Sequence, residues 1–87
     1  MPEQAGSPLD PLLLASHEGK AMLSEREIKV LRFMAEGHRN TEIGAVLQIT
    51  DETVKTHVKS ILAKLGVGDR FAAISAGLSR GVIHLPR

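Results

Sequence analysis

Thr50-Asp51-Glu52-Thr53-Val54-Lys55-Thr56-His57-Val58-Lys59-Ser60-Ile61-Leu62-Ala63-Lys64-Leu65 is the stretch whose reading decides the fold. Val54, Val58, Ile61, Leu62 and Leu65 recur at helical spacing, and at about 100° per residue they share one stripe. Away from that stripe point Glu52, Lys55, Thr56, Lys59, Ser60 and Ala63, a face of short side chains and two cations on a helix otherwise anchored in a core. Such a face suits a groove with phosphates at its edges, and on periodicity alone it suits open solvent equally well.

Working outward, Thr50 is placed to cap this helix, and Gly66 ends it with Lys64 in the last turn complementing the dipole. Gln48 and Ile49 form a tight connection to a shorter helix upstream. That helix takes Asn40 as its N-cap, Glu42 in its first turn, and Ile43, Val46 and Leu47 as its buried stripe. Farther upstream, Ser24-Glu25-Arg26-Glu27 is a capping box: the Ser24 hydroxyl accepts the amide of residue 27 while the Glu27 carboxylate reaches back to the Ser24 amide. The helix it opens buries Ile28, Val30, Leu31, Met34 and Ala35, with Leu23 as a staple and Gly37 at the stop, while Arg26, Lys29 and Arg32 form a solvated face.

Downstream, Asp69 caps a fourth helix that Gly81 ends, followed by the apolar tail Val82-Ile83. Ile74 and Leu78 are its expected core residues. Phe71, Ala72 and Ser75 spread around the wheel, and polar residues are sparse except near Ser79 and Arg80. Phe71 is as well suited to an interface as to the core, and a second protein surface would account for such a helix.

The expected fold is therefore all-α: a four-helix bundle with helices at about 24–36, 41–47, 51–65 and 70–80, and a short helix at about 11–17 ahead of it. In that short helix Asp10 is the cap, Pro11 takes the first position and Leu12 to Ala15 supply apolar residues. Residues 1–22 are expected to be a partly disordered arm and residues 23–87 the domain.

Composition removes whole classes of function. With 87 residues the chain holds one domain at most, its core is thin, and a dimer would help it. The chain has no cysteine, and His17, His38, His57 and His84 are too scattered for a helical ligand pair, so no metal or disulfide is expected. Phe33 and Phe71 are the sole aromatics, too few for a platform on which single-stranded bases stack. No apolar run approaches the roughly 20 residues of a membrane span, and the expected compartment is the cytoplasm. No nucleophile with a nearby base, Gly-rich phosphate loop or paired buried carboxylates can be assembled, so neither an enzyme nor a cofactor or small-molecule site is expected. The net charge of +1 says little, but residues 1–22 carry Glu3, Asp10, Glu18 and Lys20, which leaves the excess of cations to residues 23–87.

Helix, tight turn, helix with a polar and partly basic outer face on the second helix is the helix-turn-helix pattern. From Leu23 to about Ile83 the chain further resembles the LuxR/NarL-type (GerE-like) DNA-binding domain of bacterial transcription regulators. The residues that carry the likeness are Leu23-Ser24-Glu25-Arg26-Glu27, Ala35-Glu36-Gly37, Asn40-Thr41-Glu42-Ile43 and Thr53-Val54-Lys55-Thr56-His57-Val58. Ile61-Leu62-Ala63-Lys64-Leu65-Gly66-Val67, Asp69-Arg70 and Ala72-Ala73 complete it in order and at the family's spacing.

The resemblance implies a third helix that reads the major groove of double-stranded DNA and a fourth that pairs two copies on a two-fold site. It makes Lys55, Thr56 and Lys59 the groove-facing residues: lysines for guanine edges or phosphates, the Thr56 methyl for a thymine methyl. Further candidates are Thr53 in the same motif and His57 on its flank, where packing beside the motif is an equally good role. Thr50, Asn40 and Thr41, at the mouths of two helices, are candidates for the DNA backbone. Dimerisation would fall to Phe71, Ala72 and Ser75, and RNA polymerase is a further expected partner.

Two positions depart from the family. Thr41 stands where a basic residue is common, although a hydroxyl at a helix N-terminus still donates to phosphate beside free amides. Gly44 stands where alanine is usual, at a cost of about 1 kcal/mol unless it brings the two motif helices closer. Gly6-Ser7-Pro8-Leu9-Asp10-Pro11 with Leu12 to Ala15 resembles the segment that leaves the receiver domain in two-component response regulators. The expectation is a C-terminal piece of such a regulator, or a regulator lacking its receiver. The alternative of a different class is a small helical module, or antagonist, that binds another regulator rather than DNA.

Overall fold

A computed structural model describes residues 23–85, and the expected short helix at 11–17 and the arm lie outside them. Four helices follow in order: α1 (Glu25–Ala35), α2 (Asn40–Leu47), α3 (Asp51–Leu65) and α4 (Arg70–Ser79). No strand occurs among the described residues. The all-α bundle and its helix-turn-helix are as the sequence predicts, with bounds shifted by one residue at the ends of α1, the start of α2 and the end of α4.

Helix α3 packs against each of the other three helices, and α4 lies against α1 and α3. The core gathers Leu23, Val30, Leu31 and Met34 from α1 and its approach, Ile43 from α2, Val54, Ile61 and Leu65 from α3, and Ala73 from α4. Val58 and Leu62 complete the α3 stripe from half-buried positions, as Ile28 and Ala35 do on α1.

Two expectations about packing are corrected, and one segment gains a role. Ile74 and Leu78 are half-buried, and the fully covered positions of α4 are Ala73 and Gly77. A Cβ on Gly77 would stand 2.9 Å from Leu31 Cδ2 and 3.1 Å from Ile83 Cγ1, so larger side chains pack over a bare stretch of backbone. The apolar tail joins the core: the amides of Val82 and Ile83 both donate to the Gly77 carbonyl, at 2.9 and 3.2 Å, and both side chains are buried. Val46, expected in the stripe of α2, is 63% exposed.

The cause of that last reversal lies in the turn. Gln48 caps α2 in the left-handed region at φ 61, and its amide and that of Ile49 both close on the Gly44 carbonyl. A Cβ on Gly44 would sit 2.7 Å from the Ile49 carbonyl oxygen and 3.6 Å from Val54 Cγ2. Helix α2 therefore leans on α3 through Ile43, Gly44 and Leu47, which rotates Val46 outward. The glycine that costs helix propensity is the one that lets the Ile49 carbonyl of the turn fold back onto α2, while the α3 atoms nearest to it stand at ordinary contact distance.

Candidate nucleic-acid interface

Helix α3 begins as its sequence dictates. The Thr50 hydroxyl oxygen accepts the Thr53 amide at 3.1 Å, and the two threonine hydroxyls are 2.9 Å apart. Asp51 and Glu52 occupy the first turn, where the helix dipole favours acids, and Gly66 closes the last turn in the left-handed region at φ 71. Between these caps the buried stripe fixes which way the helix faces.

Lys55, Thr56, Lys59 and Ala63 are exposed along the outward side. The Lys55 ammonium is held loosely, 3.6 Å from Glu52 Oε2, in a pair that solvent screens. Thr56 donates its hydroxyl to the Glu52 carbonyl at 3.0 Å, so its methyl group is the part left for a neighbour. Lys59 makes no ion pair among the described residues. Thr53 and His57 are half-buried on the flank, where the sequence places His57.

Ser60, expected on the open face, is turned inward instead. Its hydroxyl donates to Glu27 Oε2 at 2.6 Å. Glu27 is 6% exposed and does more than close the capping box. Its Oε1 accepts both the Ser24 amide and the Lys64 ammonium, each at 2.9 Å. Burial pushes the carboxyl pKa up, and the bonds from Ser60, the Ser24 amide and Lys64 outweigh that push, bringing it down to about 2. Lys64 thus serves the α1 junction as well as the dipole. Glu27 thereby ties α3 to α1, a role beyond the capping box that the sequence does not reveal because Ser60 and Lys64 lie more than thirty residues away.

The start of α2 also differs from expectation. Arg39, in extended conformation, is the N-cap, and Asn40 is the first helical residue. No side chain caps from that position; Glu42 reaches back and accepts the Arg39 amide at 2.8 Å, a bond that heads the causes lowering its pKa. Asn40 is half-buried, and its Oδ1 accepts from the Arg70 guanidinium at 3.2 Å. Arg39 and Thr41 are exposed on either side of it. Arg39, absent from the sequence-predicted site, puts a cation beside Thr41, where the family's usual basic residue is missing.

On α4, Asp69 caps as expected by accepting the Ala72 amide at 2.8 Å. Phe71 is 81% exposed, which removes the core reading for its ring. Ser75 is exposed one turn on, with Ala72 half-buried beside them. At about 100° per residue the three predicted pairing residues fall within roughly a third of the α4 wheel, a narrower spread than the sequence suggests. Among the described residues no group of three His, Asp or Glu side chains could hold a metal ion, and no helix is long and apolar enough to cross a membrane.

Residues 21–76 match the family described as bacterial regulatory proteins, luxR family. The chain is also similar to the response regulator protein VraR of Staphylococcus aureus (strain Mu3), with 45% identity over 63 residues, 72% of this chain and 30% of that protein. The VraR proteins of Staphylococcus saprophyticus and Staphylococcus epidermidis match at the same 45% identity over 63 residues, with the same coverage. The chain thus spans about 30% of the length of these relatives. With a helix-turn-helix at its centre and a family match over most of its length, the chain belongs to the luxR family of bacterial regulatory proteins.

Proposed function

We propose that this chain is the sequence-specific DNA-binding domain of a bacterial transcription regulator, the effector part of a response regulator, working in the cytoplasm. Helix α3 enters the major groove of double-stranded DNA, α2 crosses the backbone beside it, and α4 pairs two copies on the site. Lys55 and Lys59 neutralise phosphates or reach guanine edges, and the Thr56 methyl meets a base. Thr41, Asn40 and Thr50 approach the backbone at the two helix starts, with Thr53 and His57 at the rim. RNA polymerase is the partner through which such a domain would act.

The observation that supports this reading best is the exposed row of Lys55, Thr56 and Lys59 on a helix whose other sides are fixed in the bundle. A surface held rigid on a scaffold yet left uncovered is suited to recognition. Phe71, exposed on a separate helix, supports pairing of two copies through α4.

The test is binding to genomic fragments at several salt concentrations. Affinity should fall steeply with salt, and Lys55→Ala or Lys59→Ala should each lower the slope of log K against log salt by about 1. Unfolding midpoints should stay put, because exposed positions of this kind change stability by about 0.5 kcal/mol or less. Binding no stronger than that of an unrelated neutral protein would favour the antagonist reading instead.

A further inference from the structure

Arg70 is the first residue of α4, immediately before the exposed Phe71. Its side chain forks across the connection between α1 and α2. One arm donates to the His38 carbonyl and the other to Asn40 Oδ1. Neither acceptor is charged, and Arg70 makes no ion pair with a carboxylate among the described residues. A guanidinium is a rigid planar fork, so a pair of neutral oxygens held by it is fixed in both distance and angle.

The effect on Asn40 is specific. A carboxamide offers an oxygen that accepts and a nitrogen that donates twice, and Arg70 occupies the oxygen. That sets the flip of the amide and leaves its NH2 as the free function. Asn40 stands between Arg39 and Thr41, both exposed, and lines with them an open groove of about 600 Å³ that also touches Arg70 and Phe71. An NH2 presented there matches a phosphate oxygen, whereas the flipped amide would present an oxygen and repel it.

We infer that Arg70 is a positioning residue for DNA binding, which acts through Asn40 by holding its carboxamide with the NH2 group toward a backbone phosphate. The inference rests on the DNA-binding reading above. It also makes the start of the pairing helix a mechanical part of the DNA-backbone contact, since Phe71 follows Arg70 directly in α4.

A double-mutant cycle tests it, using Arg70→Ala, Asn40→Ala and the double variant in the full chain, with affinity for a selected DNA site read at several salt concentrations. Each single change should weaken binding about tenfold, and the double change about tenfold as well, because both remove the same contact. The slope against log salt should be unchanged in all three, since the group touching phosphate is neutral. Effects that multiply to about a hundredfold would overturn the inference, as would a slope reduced by about 1 in Arg70→Ala, the mark of an arginine that touches phosphate itself. Unfolding curves accompany each variant. If Arg70→Ala does not fold, Arg70→Lys takes its place in the cycle, keeping the charge and losing the fork, with the same requirement of non-additivity. Wild-type binding that is absent or insensitive to salt would overturn the DNA reading itself and this inference with it.

Discussion

Three lysines of one helix meet two different fates. Lys64 donates to a buried carboxylate at 2.9 Å, whereas Lys55 lies 3.6 Å from an exposed one and Lys59 pairs with none among the described residues. The side chains are the same and the helix is the same; what differs is whether the partner is inside. Around Glu27 the polar groups of α1 and α3 satisfy one another and fix the helix, and on the outward side they are left for something else to satisfy. A helix proposed to read DNA needs both regions, because a reading surface is only as well placed as the junction behind it.

The largest break in this comparison comes from removing the carboxylate. Glu27→Ala leaves the Ser24 amide, the Ser60 hydroxyl and the Lys64 ammonium without their shared acceptor, and breaking a buried pair of this kind costs about 3 kcal/mol. For a domain of this size that lowers the unfolding midpoint by roughly 15 °C, readable by circular dichroism. Lys55→Ala, on the same helix, should leave the midpoint within a few degrees. Equal losses from the two substitutions would erase the distinction between the regions.

Acid tests the same junction without a mutation. In the folded chain the Glu27 pKa is lowered from 4.5 to about 2, so the folded state holds its carboxylate more firmly than the unfolded state does. The stabilisation is therefore complete above pH 4.5 and is lost as the pH falls toward 2, on the order of 3 kcal/mol in all. Urea unfolding from pH 6 to pH 2.5 should show that decline. Glu27→Gln should flatten most of it, and Glu42, whose pKa is also lowered, acts in the same direction. An unaltered decline in Glu27→Gln would locate the acid sensitivity elsewhere.

What the sequence made legible follows the range of the interactions involved. The caps Ser24, Thr50 and Asp69 and the stripe of α3 are local patterns, and they stand where periodicity and capping rules put them. Lys55, Thr56 and Lys59 lie on the open face for the same reason. Ser60 differs because a short polar residue next to the open face reads as outward until its partner is known, and Glu27 is thirty-three residues away. Asn40 reads as a cap because its type favours that role, yet Glu42 serves the preceding amide and frees Asn40 for Arg70. The turn that folds the Ile49 carbonyl onto Gly44 and the packing of Leu31 and Ile83 over Gly77 are contacts that no hydrophobic period encodes.

The smallest effect separates roles within the outward side itself. Thr56→Ser keeps the hydroxyl that donates to the Glu52 carbonyl and removes only the methyl. Stability should change by about 0.5 kcal/mol or less, as at other exposed positions. If that methyl packs on a thymine methyl, losing one buried carbon of about 0.8 kcal/mol should cost about fourfold in affinity at sites with thymine and nothing at sites without it. Selecting bound DNA from a random pool with both proteins measures this at every position at once. A thymine preference that weakens at one position, with the rest of the site intact, would mark the base that Thr56 meets. An unchanged site would move the reading of bases to Lys55 and Lys59 alone and leave Thr56 as a spacer that lets the groove come close.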